Sequence, residues 1–226
     1  MNLAVERAKS SWLLAFGDVV TLLITFFIMA IVLNKGEITK IQKWVDQQIT
    51  ASYQVLEQDI KNDQFEMIEI ERSARGIVLS IQSDNAFQSG SFTPTQQLNS
   101  ELTALAKMLV KAPLLNIEQT EKNRLIVERA KEEGMQWLAE IVVEGHTDND
   151  PINPLSRLRN NFFLSTLRAQ AVMNVLFEKS GLAAELFSVT GYGEWQPIAD
   201  NATVRGKRLN RRVEIILNAS FQKVLD

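Results

Sequence analysis

A carboxylate inside an apolar run is the first feature of this chain with chemical potential. In WLLAFGDVVTLLITFFIMAIVL, residues 12–33, Asp18 sits among leucine, isoleucine, valine and phenylalanine. At the standard helical rise it lies roughly 9 Å beyond Trp12. An aspartate at the centre of a membrane helix costs about 2.5–3.5 kcal/mol on insertion scales, and partial depth lowers that without removing it. Thr21 and Thr25 follow at helical spacing and share the face of Asp18. Such a seam can take up and release a cation or proton inside an assembly. Alternatively, it is an interfacial carboxylate, hydrated or paired, with no task. The first use demands partner helices, because a lone helix cannot hide the seam from lipid.

A second group of reactive residues stands in VEGHTDNDPI, residues 143–152. His146 and Asp148 raise the question of a metal or catalytic site. His146 is the single histidine, and the sequence offers no neighbour that completes a zinc set, so a structural or groove-lining role is expected. GYGE, residues 191–194, lacks the spacing of a phosphate loop. No nucleophile and base can be paired by spacing, so the chain is not expected to be an enzyme. Trp137 and Trp195 are expected in the core or at a rim rather than stacked on a ligand. The charged run ERAKEEG, residues 128–134, reads as a solvated helix face.

Composition sets bounds on these sites. With 226 residues, 46% hydrophobic content, a net charge of −3 and no cysteine, the chain is neither disordered in character nor a basic nucleic-acid binder. It has no disulfide or cysteine-based metal chemistry.

The elements that must position the sites follow from periodicity. The apolar run is long enough to cross a bilayer and lacks a small-residue cleavage site, so it reads as an uncleaved anchor behind a short tail, residues 1–11. Arg7 and Lys9 precede it and Lys35, Lys40 and Lys43 follow, so flanking charge alone does not orient it. Gly36 is expected to break the helix. Residues 36–65 then carry apolar residues at steps of three and four, which predicts a juxtamembrane amphipathic helix. It would pair with its twin or lie on the membrane as a gate, or else act as a spacer packed on the domain behind it.

Beyond residue 66 the pattern predicts a strand at 76–81, a loop, a helix after Pro94 with Leu98, Leu102, Leu105 and Leu109 on one side, and a charged helix over 122–138. A strand at 139–148, a helix at 162–181 ending on Gly181, a strand at 186–193, a loop, and a final strand at 210–218 complete the order. The fold class expected is α/β: one transmembrane helix, a juxtamembrane helix, and a compact domain with helices on one face of a mixed sheet over residues 66–226.

Four blocks then carry a resemblance. VEGHTDNDPI, NNFFLSTLRAQAV, GYGEWQPIADN and GKRLNRRVEI resemble the OmpA-like peptidoglycan-binding domain, in the family's order. The apolar segment, with Trp12, Asp18 and Thr21, looks like the membrane helix of MotB. The whole arrangement resembles the MotB-like stator B subunit, and ZorB of Zorya antiphage motors shares the plan. The resemblance implies an OmpA-like α/β sandwich and a single-pass protein of the bacterial inner membrane, N-terminus cytoplasmic and C-terminal domain periplasmic. It implies two B subunits inside a ring of MotA-like or ZorA-like A subunits, with lipid around them and no nucleic-acid partner. It implies no cofactor beyond the transported ion, a proton by preference with sodium as the alternative. Asp18 matches the ion-carrying position, with Thr21 beside it. Asp148 and Arg168 match the residues that hold the diaminopimelate part of the stem peptide, and Asn161 and Arg211 match polar positions that line or brace that groove. The rival of a different class is a passive membrane-to-wall tether, in which Asp18 would have no role.

Overall fold

The computed structural model describes residues 3–88 and 91–223, with side chains at 12–32, 40–88 and 91–223. The side chains of the expected tail, residues 1–11, lie outside the described residues. The chain divides into two compact units, Met1–Asp46 and Gln47–Asp226.

Helix α1, Leu3–Asn62, runs through both. It passes Gly36 without the expected break. One glycine disfavours a helix by about 1 kcal/mol relative to alanine, too little to end a helix that flanking residues propagate. In the first unit, Trp12–Val32 is long and apolar enough to span a bilayer, and none of that stretch is buried by the rest of the chain.

The second unit starts inside the stretch read as juxtamembrane, earlier than residue 66. Here α1 turns one face inward: Ile49, Ser52, Leu56 and Ile60 are all buried. Ser52 Oγ donates to Gln48 O at 2.8 Å and accepts from Leu114 N at 2.9 Å. Residues 47–62 are therefore a helix docked on the domain, the spacer alternative rather than the free one.

The sheet has five strands in the order β1-β2-β5-β3-β4. They are β1 (Ile68–Ser73), β2 (Gly76–Gln82), β3 (Met135–His146), β4 (Phe187–Gly193) and β5 (Arg212–Lys223). Only β3 and β4 run parallel. Register explains the two faces. Ile77, Leu79 and Ile81 pair with Leu217, Ile215 and Val213, which pair in turn with Ile141, Val143 and Gly145. Side chains alternate along a strand, so these residues share one apolar face. Helix α5, Asn161–Ser180, lies on it. A Cβ added to Gly145 would meet Ser165 O at 2.0 Å, so glycine is what lets α5 approach. Helix α3, Gln96–Leu109, packs beside α5 and buries Leu98, Leu102, Leu105 and Leu109 completely, as their spacing predicts. Both helices start on side-chain caps, Thr95 accepting from Leu98 N and Asn160 from Phe163 N, and α5 ends on Gly181 at φ +68°.

The local expectations fail at four places. The charged helix is α4, Glu121–Glu132, and it stops before Gly134, whose φ is +75°. Residues 135–138 instead open β3, because they pair with the far end of β5, Met135 opposite Lys223. The sequence reading also passed over β1, and it read α6, Val204–Asn210, as loop. The short α2, Ser83–Ala86, lies within the predicted loop.

Candidate functional site

The residues that the resemblance assigns to a binding groove gather where β3 leaves the sheet. After His146, the chain carries Asp148 into a loop, and three other segments converge on it: α2, the start of α5, and the end of α6. Asp148 is 6% exposed. Its Oδ1 accepts from Asp150 N at 3.1 Å and its Oδ2 from Arg211 NH1 at 2.5 Å. Arg211 closes a second, bidentate pair on Asp84, with Nε–Oδ1 at 2.6 Å and NH2–Oδ2 at 2.7 Å. Two parallel charge-assisted bonds fix a guanidinium in plane as well as in place. Arg168, 8% exposed, donates Nε to Ser91 O at 3.2 Å and lies over the Phe87 ring, 5.1 Å from its centroid. Asn161 Nδ2 reaches Asp148 O at 3.3 Å, Asp150 O at 3.0 Å and Glu194 Oε2 at 2.8 Å.

The four residues singled out by sequence therefore converge, and the structure gives each a different task. Arg168 projects a guanidinium partly stripped of water. Asp148 is a buried acceptor already engaged by Arg211. Arg211 is the brace between two carboxylates. Asn161 ties the β3 loop to the loop after β4. Sequence reasoning missed Asp84 and Glu194. Asp84 lies on the four-residue α2, between strand and loop signals, and only its contacts with Arg211 and, at 3.9 Å, Arg208 mark it.

Electrostatics follow the geometry. The hydrogen bonds from Arg211 hold Asp84 below the usual carboxylate range. The Arg211 guanidinium is raised by its bond to Asp84, against the opposing effect of burial. Burial, then the neighbouring Arg211 charge, lowers Arg168. Four carboxylates, Asp84, Asp148, Asp150 and Glu194, and four cations, Arg168, Lys207, Arg208 and Arg211, balance around the groove. A zwitterion, with its own ammonium and carboxylate, suits that balance better than a simple ion does.

A second charged group lies on the opposite face of the sheet. Glu144, His146 and Glu214 bring one ligand atom each within 4.8 Å of one another, which corrects the expectation that His146 has no partner for a metal set. The carboxylates are occupied, however. Arg75 binds Glu144, and it binds Glu214 at 2.8 Å; Arg212 Nε donates to Glu214 at 2.6 Å. Burial pushes both glutamates up, but Arg75 and His146 beside Glu144, and Arg212 beside Glu214, outweigh it, so both stay low. His146 Nε2 is 3.8 Å from Glu144, outside hydrogen-bond range, and the ring stacks on Tyr192 with centroids 5.3 Å apart. Guanidiniums hold the places an ion would take, so the group acts as an ion-pair network that pins the β1–β2 turn to β3 and β5.

In the first unit, Asp18 is exposed on the apolar helix. The Thr21 hydroxyl donates to Gly17 O at 2.6 Å and lies 2.9 Å from Asp18 O; Thr25 Oγ1 donates to Leu22 O at 2.9 Å. These bonds turn both hydroxyl protons back onto carbonyls of the preceding helical turn.

Fold and groove together define a class: an OmpA-like domain behind a helix of membrane-spanning length. Residues 115–211 match the OmpA family, and residues 4–47 match the family described as membrane MotB of the proton-channel complex MotA/MotB. Motility protein B of Bacillus subtilis (strain 168) is 32% identical over 163 residues, 72% of this chain and 53% of the relative, so the match spans about half of that relative's length. A putative MotB-like protein from Desulfovibrio vulgaris shares the fold, with a TM-score of 0.60 at 19% identity over 78% of this chain and 94% of that one. The cell wall anchor of the T6SS from Pseudomonas aeruginosa superposes with a TM-score of 0.52 at 29% identity, covering 75% and 96% of the two chains. The chain is a MotB-like protein.

Proposed function

We propose that this chain is the B subunit of an ion-driven stator of the inner membrane. Its Asp18 takes up and releases protons between A subunits of MotA type, and its C-terminal domain grips peptidoglycan in the periplasm. The observation that carries the motor part is the exposed carboxylate on Trp12–Val32, with Thr21 and Thr25 at successive positions on its face. A carboxylate uncovered on a lipid-length helix needs protein or water against it. A second B helix and a ring of A subunits supply both. A proton suits a lone carboxylate, which is neutralised outright by protonation and so crosses the apolar layer cheaply.

The grip follows from the groove. Arg168 offers a partly desolvated guanidinium to a ligand carboxylate, and the acidic pair Asp84 and Asp148 offers an acceptor surface to an ammonium. Diaminopimelate in a stem peptide carries both groups. Arg211 shares its charge between the two aspartates, and a ligand ammonium would take over part of that role.

In cells carrying the native gene, Asp18→Asn should abolish ion-driven output while the protein still reaches the membrane and still sediments with purified sacculi. Full output from Asp18→Asn would overturn the motor reading and leave the passive tether. Arg168→Gln should weaken sedimentation with sacculi; retention equal to the native chain would remove Arg168 from the grip.

A further inference from the structure

Trp195 is the bulkiest apolar side chain that the C-terminal unit leaves in water among the described residues, 79% exposed. Its backbone is held nonetheless. Trp195 N donates to Tyr192 O at 3.3 Å, and the preceding Glu194 accepts from Asn161 Nδ2 at 2.8 Å. The same amide binds the carbonyls of Asp148 and Asp150, so one side chain ties the Trp195 turn to the groove. Phe162, 58% exposed, stands next to Asn161 at the start of α5. The two segments are in contact: a Cβ on Gly193 would lie 3.0 Å from Phe162 N.

Single apolar residues are ordinary on a protein surface, but here two exposed aromatics stand on adjoining segments that Asn161 ties to a charged groove, and that placement calls for an occupant. An aromatic of this size has of order 150–250 Å² to bury, and the fold leaves most of the Trp195 share unused. The indole also combines an apolar plane with a polar edge, which suits a ligand that is greasy on one face and hydroxylated around it.

We propose that Trp195, with Phe162 on the adjoining segment, is a stacking platform for the glycan strand of the wall polymer. The proposal rests on the peptidoglycan reading above and names a second part of the same ligand. A stem peptide is covalently joined to a sugar. A peptide seated between Arg168 and the Asp84–Asp148 pair therefore carries that sugar to the rim. A pyranose ring presents C–H groups from one face, which pack on an aromatic plane, whereas the peptide's charges are met by the groove. The platform thus makes the domain read sugar and peptide together.

The test uses the full chain in detergent micelles, titrated with two ligands: a soluble disaccharide-peptide containing diaminopimelate, and the same peptide released from its sugars by amidase. Trp195→Ala should weaken the disaccharide-peptide by roughly five- to tenfold while the free peptide changes by less than about twofold. Trp195→Phe should recover most of the loss. Because the side chain is exposed, Trp195→Ala should fold as the native chain does. The proposal falls if the alanine variant weakens both ligands equally, or neither. It also falls if light scattering shows that the substitution only dissociates a self-associated species. A native chain that binds neither ligand would overturn the peptidoglycan reading itself, an outcome separable because it appears without any substitution.

Discussion

Arg211 is the most connected residue of the groove, and its removal can be worked through. Arg211→Ala deletes the bidentate pair to Asp84 and the single bond to Asp148. The two losses differ in weight. Asp84 keeps 32% of its side chain open to solvent, so its pair is worth about 0–1 kcal/mol. Asp148 has only 8% of its side chain open, and removing one partner of a buried pair typically costs about 3–5 kcal/mol. Asp148 retains the Asp150 N–H, which offsets part of that. The expected loss is about 3 kcal/mol at neutral pH, or roughly 6–12 °C in Tm for a unit of this size.

The pH dependence has a definite sign. Asp84 is depressed by Arg211, so its pair stabilises above the ordinary carboxylate range and is lost as pH falls through the depressed value. The gap between native and variant should therefore narrow below about pH 4. Calorimetry of both chains at pH 7 and pH 3, with Asp148→Asn and the double variant, gives all the quantities. Adding Asp148→Asn to Arg211→Ala should restore part of the lost stability, since it removes the stranded charge. Equal melting at pH 7, or a gap that widens in acid, would refute the reasoning.

Other predictions test the scaffold and the seam. Gly145→Ala should cost about 3 kcal/mol or more, because its Cβ meets the α5 backbone at Ser165 and neither element can yield cheaply; loss of near-ultraviolet dichroism would report it. Leu56→Ala should cost about 2–5 kcal/mol if α1 docks on the domain as described, read from chemical denaturation. Glu144 and Glu214 both sit below their ordinary range, so native Tm should fall on acidification below about pH 4, and Glu144→Gln should flatten that fall. Asp18→Glu should retain part of the ion-driven output that Asp18→Asn removes, since a carboxylate remains on the same face.

What the sequence determined by itself was local periodicity and residue type. The leucine spacing of α3, Gly181 after α5 and the greasy run around Asp18 each follow from forces acting within a few residues. Family blocks supplied Asp148, Asn161, Arg168 and Arg211, and these do converge. The tertiary structure decided what depends on partners far along the chain. Strand β1 is legible only through its pairing with β2, and residues 135–138 become strand because β5 runs on to meet them. Asp84 stands 127 positions from Arg211 in sequence and 2.6 Å from it in space. Glu214 reaches Glu144 and His146 only across the β3–β5 pairing, and Arg75 reaches the two glutamates only through a hairpin turn. Charges so placed are invisible to any local pattern, because Coulomb attraction and desolvation act through space and depend on which strands the fold makes neighbours.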